Sequence, residues 1–308
     1  MKRAVTLAIG LACAMGIAGG CENFGEKGGE GAAKPTTANP INKKFGEPPA
    51  YAVVAREYNR SVDYLDRISA RANILITYFD EEGNERTEDP EGRLQIIRPN
   101  KLALSLGKAG QILFWFGCDP EQYWWIDLSE KGKRIAAVGR HEKFDDATAA
   151  RIGLPIKPLD LIRMMGIVKM DVAAKGATQW SDDGKLVGIT APIGDRGFQR
   201  TWVDPKTMRP STIEIFDKNR EKVLVAEHTG EEPVEFFRDL PGAAFAHVRV
   251  PSRIEITHLE RDGHPETKAR LTLTGVRDGP ITEKAFDLSV LLDKYPVDKT
   301  IDLDARKK

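Results

Sequence analysis

Beyond Pro48-Pro49 the apolar side chains recur at helical spacing: Val54, Tyr58, Val62, Leu65 and Ile68, with Arg56, Glu57, Arg60 and Asp63 on the other side. This spacing predicts one amphipathic helix with its apolar stripe turned inward. The period then falls from about 3.6 residues to 2, the mark of half-buried strands. Ile74, Ile76 and Tyr78 begin a strand, and Asp80-Glu81-Glu82-Gly83-Asn84 turns it. Leu102, Leu104 and Leu106 alternate with Ala103 and Ser105. Ile112, Phe114 and Phe116 follow a Lys108-Ala109-Gly110 turn; Trp124, Ile126 and Leu128 follow Asp119-Pro120; Ile135 and Ala137 follow Lys131-Gly132. Short alternating strands joined by Gly and Asp turns predict an antiparallel meander.

Residues 142–175 interrupt it. Leu159, Ile162 and Met165, with Leu161, Met164 and Val168, predict a helix starting after Pro158 and apolar on more than one face. Strands resume at Val187/Ile189, Phe198 to Val203, Ile213/Ile215, Val223/Val225, Ile254/Ile256 and Leu271/Leu273. About a dozen strands cannot stay a flat open sheet without curling. The predicted class is therefore mainly β (α+β): a curved antiparallel half-barrel of about 11–12 strands. The N-terminal helix and the helical insertion would cover its concave face.

The first residues alter the picture. Met1-Lys2-Arg3, an apolar run from Ala4 to Ile17, and Ala18-Gly19-Gly20 before Cys21 have the layout of a secretory signal. Ala18-Gly19-Gly20-Cys21 resembles the bacterial lipobox, in which the leader is cut before a cysteine that then carries lipid; Ala18 departs from the usual Leu. The expected organisation is a lipoprotein signal peptide over 1–20, a flexible tether over 21–47 and one folded domain over 48–308. The tether stretch is rich in Gly, Lys, Glu and Pro and nearly empty of large apolar groups, so it has little to bury.

Composition excludes more than it assigns. The chain holds 46 basic and 46 acidic side chains, interspersed, and losing Lys2 and Arg3 with the leader would leave 44 against 46. No basic block points to nucleic acid. After the leader only Cys21 and Cys118 remain, so no internal disulfide framework is expected.

Three stretches carry a family resemblance. Ile97-Arg98-Pro99-Asn100-Lys101-Leu102-Ala103-Leu104, then Gly110 to Phe116 with Asp119-Pro120 and Tyr123-Trp124, and finally Trp202-Val203-Asp204-Pro205-Lys206-Thr207-Met208-Arg209-Pro210 to Phe216-Asp217 resemble strands and hairpins of the LolA/LolB superfamily, periplasmic carrier and outer-membrane receptor of lipoproteins. Lys218-Asn219 stands where the last of these hairpins has a glycine. The likeness runs over residues from about 50 to 290. It implies acyl-chain binding on the concave face and no catalytic residues.

The densest candidate site is Phe114, Trp115, Phe116, Tyr123, Trp124 and Trp125, six aromatics within twelve residues. As single rings they read as core, but both faces of the hairpin are aromatic, more than one core needs. One set could line a cavity, and the other could be part-exposed or covered by the insertion. Ile112, Phe114 and Phe116 on one strand and Trp124 and Ile126 on the next are the expected lipid-contacting residues. Met164 and Met165, with Met170, are expected in a lid, since thioether chains repack easily; a Met-bearing core helix is the plainer alternative.

Signs of catalysis are poor. His141, His228, His247, His258 and His264 are scattered without the i, i+4 spacing of a metal-binding helix, and no Gly-x-Ser-x-Gly elbow occurs. Asp145-Asp146 and Asp182-Asp183 lie in turn-like stretches, and Cys118 has no neighbouring cation to activate it. No enzyme, metal or cofactor is expected. The expected protein is a monomer held to the membrane by lipid on Cys21, in the outer membrane facing the periplasm, and it binds acyl chains or lipoproteins. The alternative is a scaffold or sensor lipoprotein that uses the same fold to bind a protein. An open apolar groove between sheet and helices would mark the first, and a packed interior the second.

Overall fold

The structure, a computed structural model, describes residues 45–79, 85–144, 157–194, 197–238, 248–260 and 266–305. The leader, Cys21, nearly all of the expected tether, Asp145-Asp146, His247 and His264 lie outside the described residues.

Helix α1 spans Tyr51–Ser61 and buries Tyr51, Val54, Ala55 and Tyr58, the stripe that the sequence predicts. It is shorter than its periodicity: Val62 and Leu65 lie beyond it, and Ile68 belongs to strand β1 (Arg67–Phe79), yet all three are buried. One apolar spacing thus crosses a helix, a turn and a strand. Strands β2 (Glu85–Glu88), β3 (Glu91–Ile97), β4 (Lys101–Lys108), β5 (Gln111–Cys118), β6 (Gln122–Asp127) and β7 (Ile135–Arg140) follow as the expected meander. Helix α2, Pro158–Met164, starts with proline in its first turn, where no intrahelical N–H is needed.

The second half runs β8 (Ala177–Trp180), β9 (Val187–Pro192), β10 (Phe198–Val203), β11 (Pro210–Phe216) and β12 (Lys222–Thr229). Then come the short β13 (Glu232–Pro233), β14 (Glu235–Phe236) and β15 (Arg249–Val250), followed by β16 (Arg253–His258) and β17 (Thr267–Asp278). A 3-10 turn at Glu283–Phe286, helix α3 (Leu288–Lys294) and β18 (Lys299–Asp302) complete it.

One sheet takes sixteen of these strands, in the order β18-β7-β6-β5-β4-β3-β1-β17-β16-β12-β11-β10-β9-β8, with β14 beside β17 and β2 beside β1. All neighbours are antiparallel except β18 with β7 and β14 with β17. The expected fold class therefore holds: a mainly β protein with a large curved sheet that does not close into a barrel. The eighteen strands among the described residues exceed the expected dozen because short pairing segments leave no periodic signal.

Alternation fixes two faces. Inward residues of the strands (Leu94, Ile96, Leu104, Phe116, Ile213 and Leu273 among them) share one continuous core with α1 and α2. On β16, β17, β1 and β3 the other face carries exposed Arg253, Arg270, Arg71 and Arg93.

Candidate functional site

The aromatic hairpin β5–β6 is split between the two faces. Directly paired residues of antiparallel strands share a face. Phe116 pairs with Trp125 and Cys118 with Tyr123, whereas Trp115 pairs with Ile126 and Gly117 with Trp124. Phe114, Phe116 and Trp125 therefore face α1 and α2, while Trp115, Trp124 and Ile126 face away. Phe114 stacks on Trp125 with ring centroids 5.3 Å apart, and Phe116 meets the same indole at 6.0 Å.

This corrects the grouping read from sequence. Trp124 and Ile126 lie behind the sheet from Phe114 and Phe116. Ile112 does too, because Leu106 pairs with Phe114 but Gly107 with Ile112, leaving Leu113 as a bulge. The extra residue inverts the alternation, so Leu113 packs into the inner core and Ile112 into the outer cluster.

The outer aromatics are covered by the C-terminal segment, not by the insertion. Leu288, Leu291, Leu292, Tyr295 and Val297 pack on Trp115, Trp124, Ile126 and Leu128, and Tyr295 lies 5.8 Å from Trp115. Asp287 starts α3 by accepting from the Ser289 and Val290 amides. The Asp287-x-Ser start and the Leu288/Leu291/Leu292 spacing were the available signals for this cover. Trp124 also needs Gly117: a β-carbon there would sit 2.8–2.9 Å from the indole.

Above the inner wall lies α2, packed on β4 and β5. Its underside (Leu161, Ile162, Met164, with Met165 just beyond) is buried, and both methionines have no exposed surface. The chain leaving α2 is fastened by side chains to main-chain groups. Tyr58 Oη donates to the Gly166 carbonyl at 2.7 Å, Tyr51 Oη to that of Asp171 at 2.8 Å, and Asn59 bonds both the N–H and the carbonyl of Met170. Arg98 Nη1 donates to the Ile167 carbonyl at 2.8 Å, while Nη2 holds Asp66 at 2.6 Å.

His228 of β12 completes the fastening. Its Nε2 lies 2.6 Å from the Met164 carbonyl and its Nδ1 3.3 Å from that of Pro210. The shorter contact assigns the proton of a neutral ring to Nε2. Burial lowers the imidazole pKa, against the two carbonyls, which favour the charged form. Burial likewise pushes the Tyr58 phenol up.

Phe114 and Phe116 are each 4 % exposed, so the inner wall is packed against protein throughout. Among the described residues no three of His, Cys, Asp and Glu gather where they could hold a metal ion, and no helix is long and apolar enough to cross a membrane. The Cys118 thiol is buried and pushed up to about 12 by that burial.

No protein family matches the sequence, and no curated protein does. Solved structures match in shape. A domain described as an outer membrane lipoprotein-sorting protein, from Vibrio parahaemolyticus, superimposes with a TM-score of 0.51 at 10% identity, covering 78% of this chain and 97% of its own. The fold is LolA/LolB-like. A LolA superfamily protein from Nitrosomonas europaea gives 0.47 at 12% identity over 79% of this chain and 99% of its own. A DUF1329 family protein from Desulfovibrio piger gives 0.44 at 12% identity over 78% and 97%. The inner aromatic wall and the apolar side of α2 packed on it form the candidate site.

Proposed function

We propose that this chain is a lipid-anchored, non-catalytic protein of the bacterial envelope that receives acyl chains, of lipids or lipoproteins, between the inner wall of its half-barrel and α2. In this reading residues 1–20 are the leader, 21–47 the tether and 48–308 the binding domain. Cys21 carries the lipid, and the protein is a monomer in the outer membrane facing the periplasm.

The observation that carries the reading is how α2 is held. A seven-residue helix buries Leu161, Ile162 and Met164 over an aromatic wall, with the buried Asp160 held by Arg163 at 2.9 Å, and the chain beyond it is fastened by hydrogen bonds to main-chain groups. Such bonds contribute about 1 kcal/mol each and the burial of each apolar side chain about 1.5–3 kcal/mol, so in this reading the lid lifts only where hydrocarbon takes the place of its side chains. Leu161, Ile162, Met164 and Met165 occupy the place that hydrocarbon would take. An acyl chain gains about 0.8 kcal/mol per buried CH₂, some 12 kcal/mol for sixteen carbons, and a membrane offers a similar gain, so transfer is nearly balanced and release is easy.

The same packing favours a second reading. Because the inner wall is filled by the protein's own side chains, the domain could serve as a scaffold that binds a protein through its surface.

Two measurements decide. Cys21→Ser should move the protein out of the membrane fraction; a variant that stays there refutes the anchor. Titration of a fluorescent long-chain fatty acid into the Cys21→Ser chain should give saturable binding. No binding, either by this chain or by its Tyr58→Phe derivative with a loosened lid, leaves the scaffold.

A further inference from the structure

The outer face of the sheet carries an arginine pair that has no ion-pair partner among the described residues, beside a groove. Arg71 of β1 and Arg93 of β3 are directly opposite each other, and both are exposed. Like charges at paired positions destabilise a sheet. Arg93 points Nε and Nη2 at the Ser69 hydroxyl, 3.0 and 2.9 Å away. Arg71 forms no ion pair among the described residues, and neither does Glu91, the acid that lines the groove two residues before Arg93 on the same face of β3.

Along the same face a groove of about 550 Å³ runs over β17, β1, β3, β4 and the β4–β5 turn. Arg71, Ser105, Thr272 and Thr274 line it, offering a guanidinium and three hydroxyls, with Glu91 as its carboxylate. Thr274 pairs with Arg71 and Ser105 with Arg93, so the hydroxyls flank the cations on both sides in one row across the strands. Arg253 adds an exposed guanidinium in the adjoining row, while Arg270 is already held by Glu255 at 2.8 Å. Guanidinium forks with hydroxyls around them match the oxygens of a phosphate group.

We infer that this face docks on the phosphate headgroups of an anionic phospholipid surface. Charge complementarity selects the occupant: among the described residues Arg71, Arg93 and Arg253 have no carboxylate partner, and they outnumber Glu91 and Glu227, the acids of this face that have no cation partner, on a chain whose total charge is zero. The inference takes proximity to a membrane from the function proposed above. Its contact is separate, since groove and lid lie on opposite faces of the sheet.

The test is sedimentation of the Cys21→Ser chain with vesicles of phosphatidylcholine, alone or mixed with phosphatidylglycerol. Binding is expected only to the mixed vesicles, weakening as salt rises and screening shortens. Each arginine near such a surface is worth about a fivefold change in partition, so Arg71→Gln should lose about fivefold and Arg71→Gln/Arg93→Gln about 25-fold, with unchanged thermal midpoints. Equal binding to both vesicles, or an unaltered double variant, overturns the inference. So does saturation by glycerol 3-phosphate without preference for vesicles, which would make a free phosphate ester the ligand. Fatty-acid binding retained by the same double variant shows that the lid site stands whichever way the docking result falls.

Discussion

Tyr58 donates its phenolic hydroxyl to the Gly166 carbonyl at 2.7 Å, joining α1 to the chain 108 residues later, just past α2. Tyr58→Phe keeps the ring and removes one donor, leaving a buried carbonyl without that partner. The expected loss is about 1–3 kcal/mol in chemical denaturation. If α2 is the lid, fatty-acid affinity should rise in the same variant, because opening costs less. A stability loss with weaker binding would make the bond purely structural.

Gly117 gives a prediction on the other face. With the Trp124 indole across it, Gly117→Ala must displace the ring from a closed cluster. Overpacking of this kind costs typically about 1–3 kcal/mol. Trp124 fluorescence should shift and the thermal midpoint fall, with fatty-acid binding unchanged. Reduced binding would mean that the two faces are coupled.

His228 sets a pH dependence. Its folded pKa lies below the ordinary 6.5 because burial disfavours the imidazolium. As pH falls through 6.5 the unfolded chain takes up a proton that the native state refuses, so this part of the stability is present above 6.5 and lost on acidification. His228→Gln should flatten the stability profile between about pH 7.5 and 5.5. An unchanged slope assigns the dependence to another group.

Cys118 should be inert. With its pKa pushed up to about 12, almost no thiolate exists at neutral pH, and the thiol lies inside the core. A thiol reagent should leave Cys118 of the native Cys21→Ser chain unmodified and label it at the unfolding rate. Rapid native labelling would show that β5 opens locally.

Much of this architecture is legible in the sequence where one periodicity serves one element. The face of α1 and the alternation of β4 are examples, and so is the start of α2 at Pro158. Legibility fails at two kinds of place. A single bulged residue, Leu113, reverses Ile112, because a period-2 reading carries no memory of an insertion. The cover formed by 281–303 leaves only a local helix signal at Asp287 and Leu288/Leu291/Leu292; its partners lie some 150 residues earlier, and β18 joins β7 in parallel, a pairing without a local signal. The candidate site was half readable: Phe114, Phe116, Met164 and Met165 do share a core, whereas the bonds to main-chain carbonyls that hold α2 leave no mark on composition.

The hairpin β5–β6 is roofed by α2 and floored by α3, so its strands are dry on both sides, while β16, β17 and β1 keep one face in water. The sheet is accordingly stiffer at β5 and β6 than in its middle, at β1, β17 and β16. If α2 lifts as proposed, the wall beneath it has no room to recoil, and displacement is confined to the helix and its fastenings. Amide exchange should run the same way, slowest in β5 and β6 and faster along the wetted strands, making the hairpin an anvil against which the lid works.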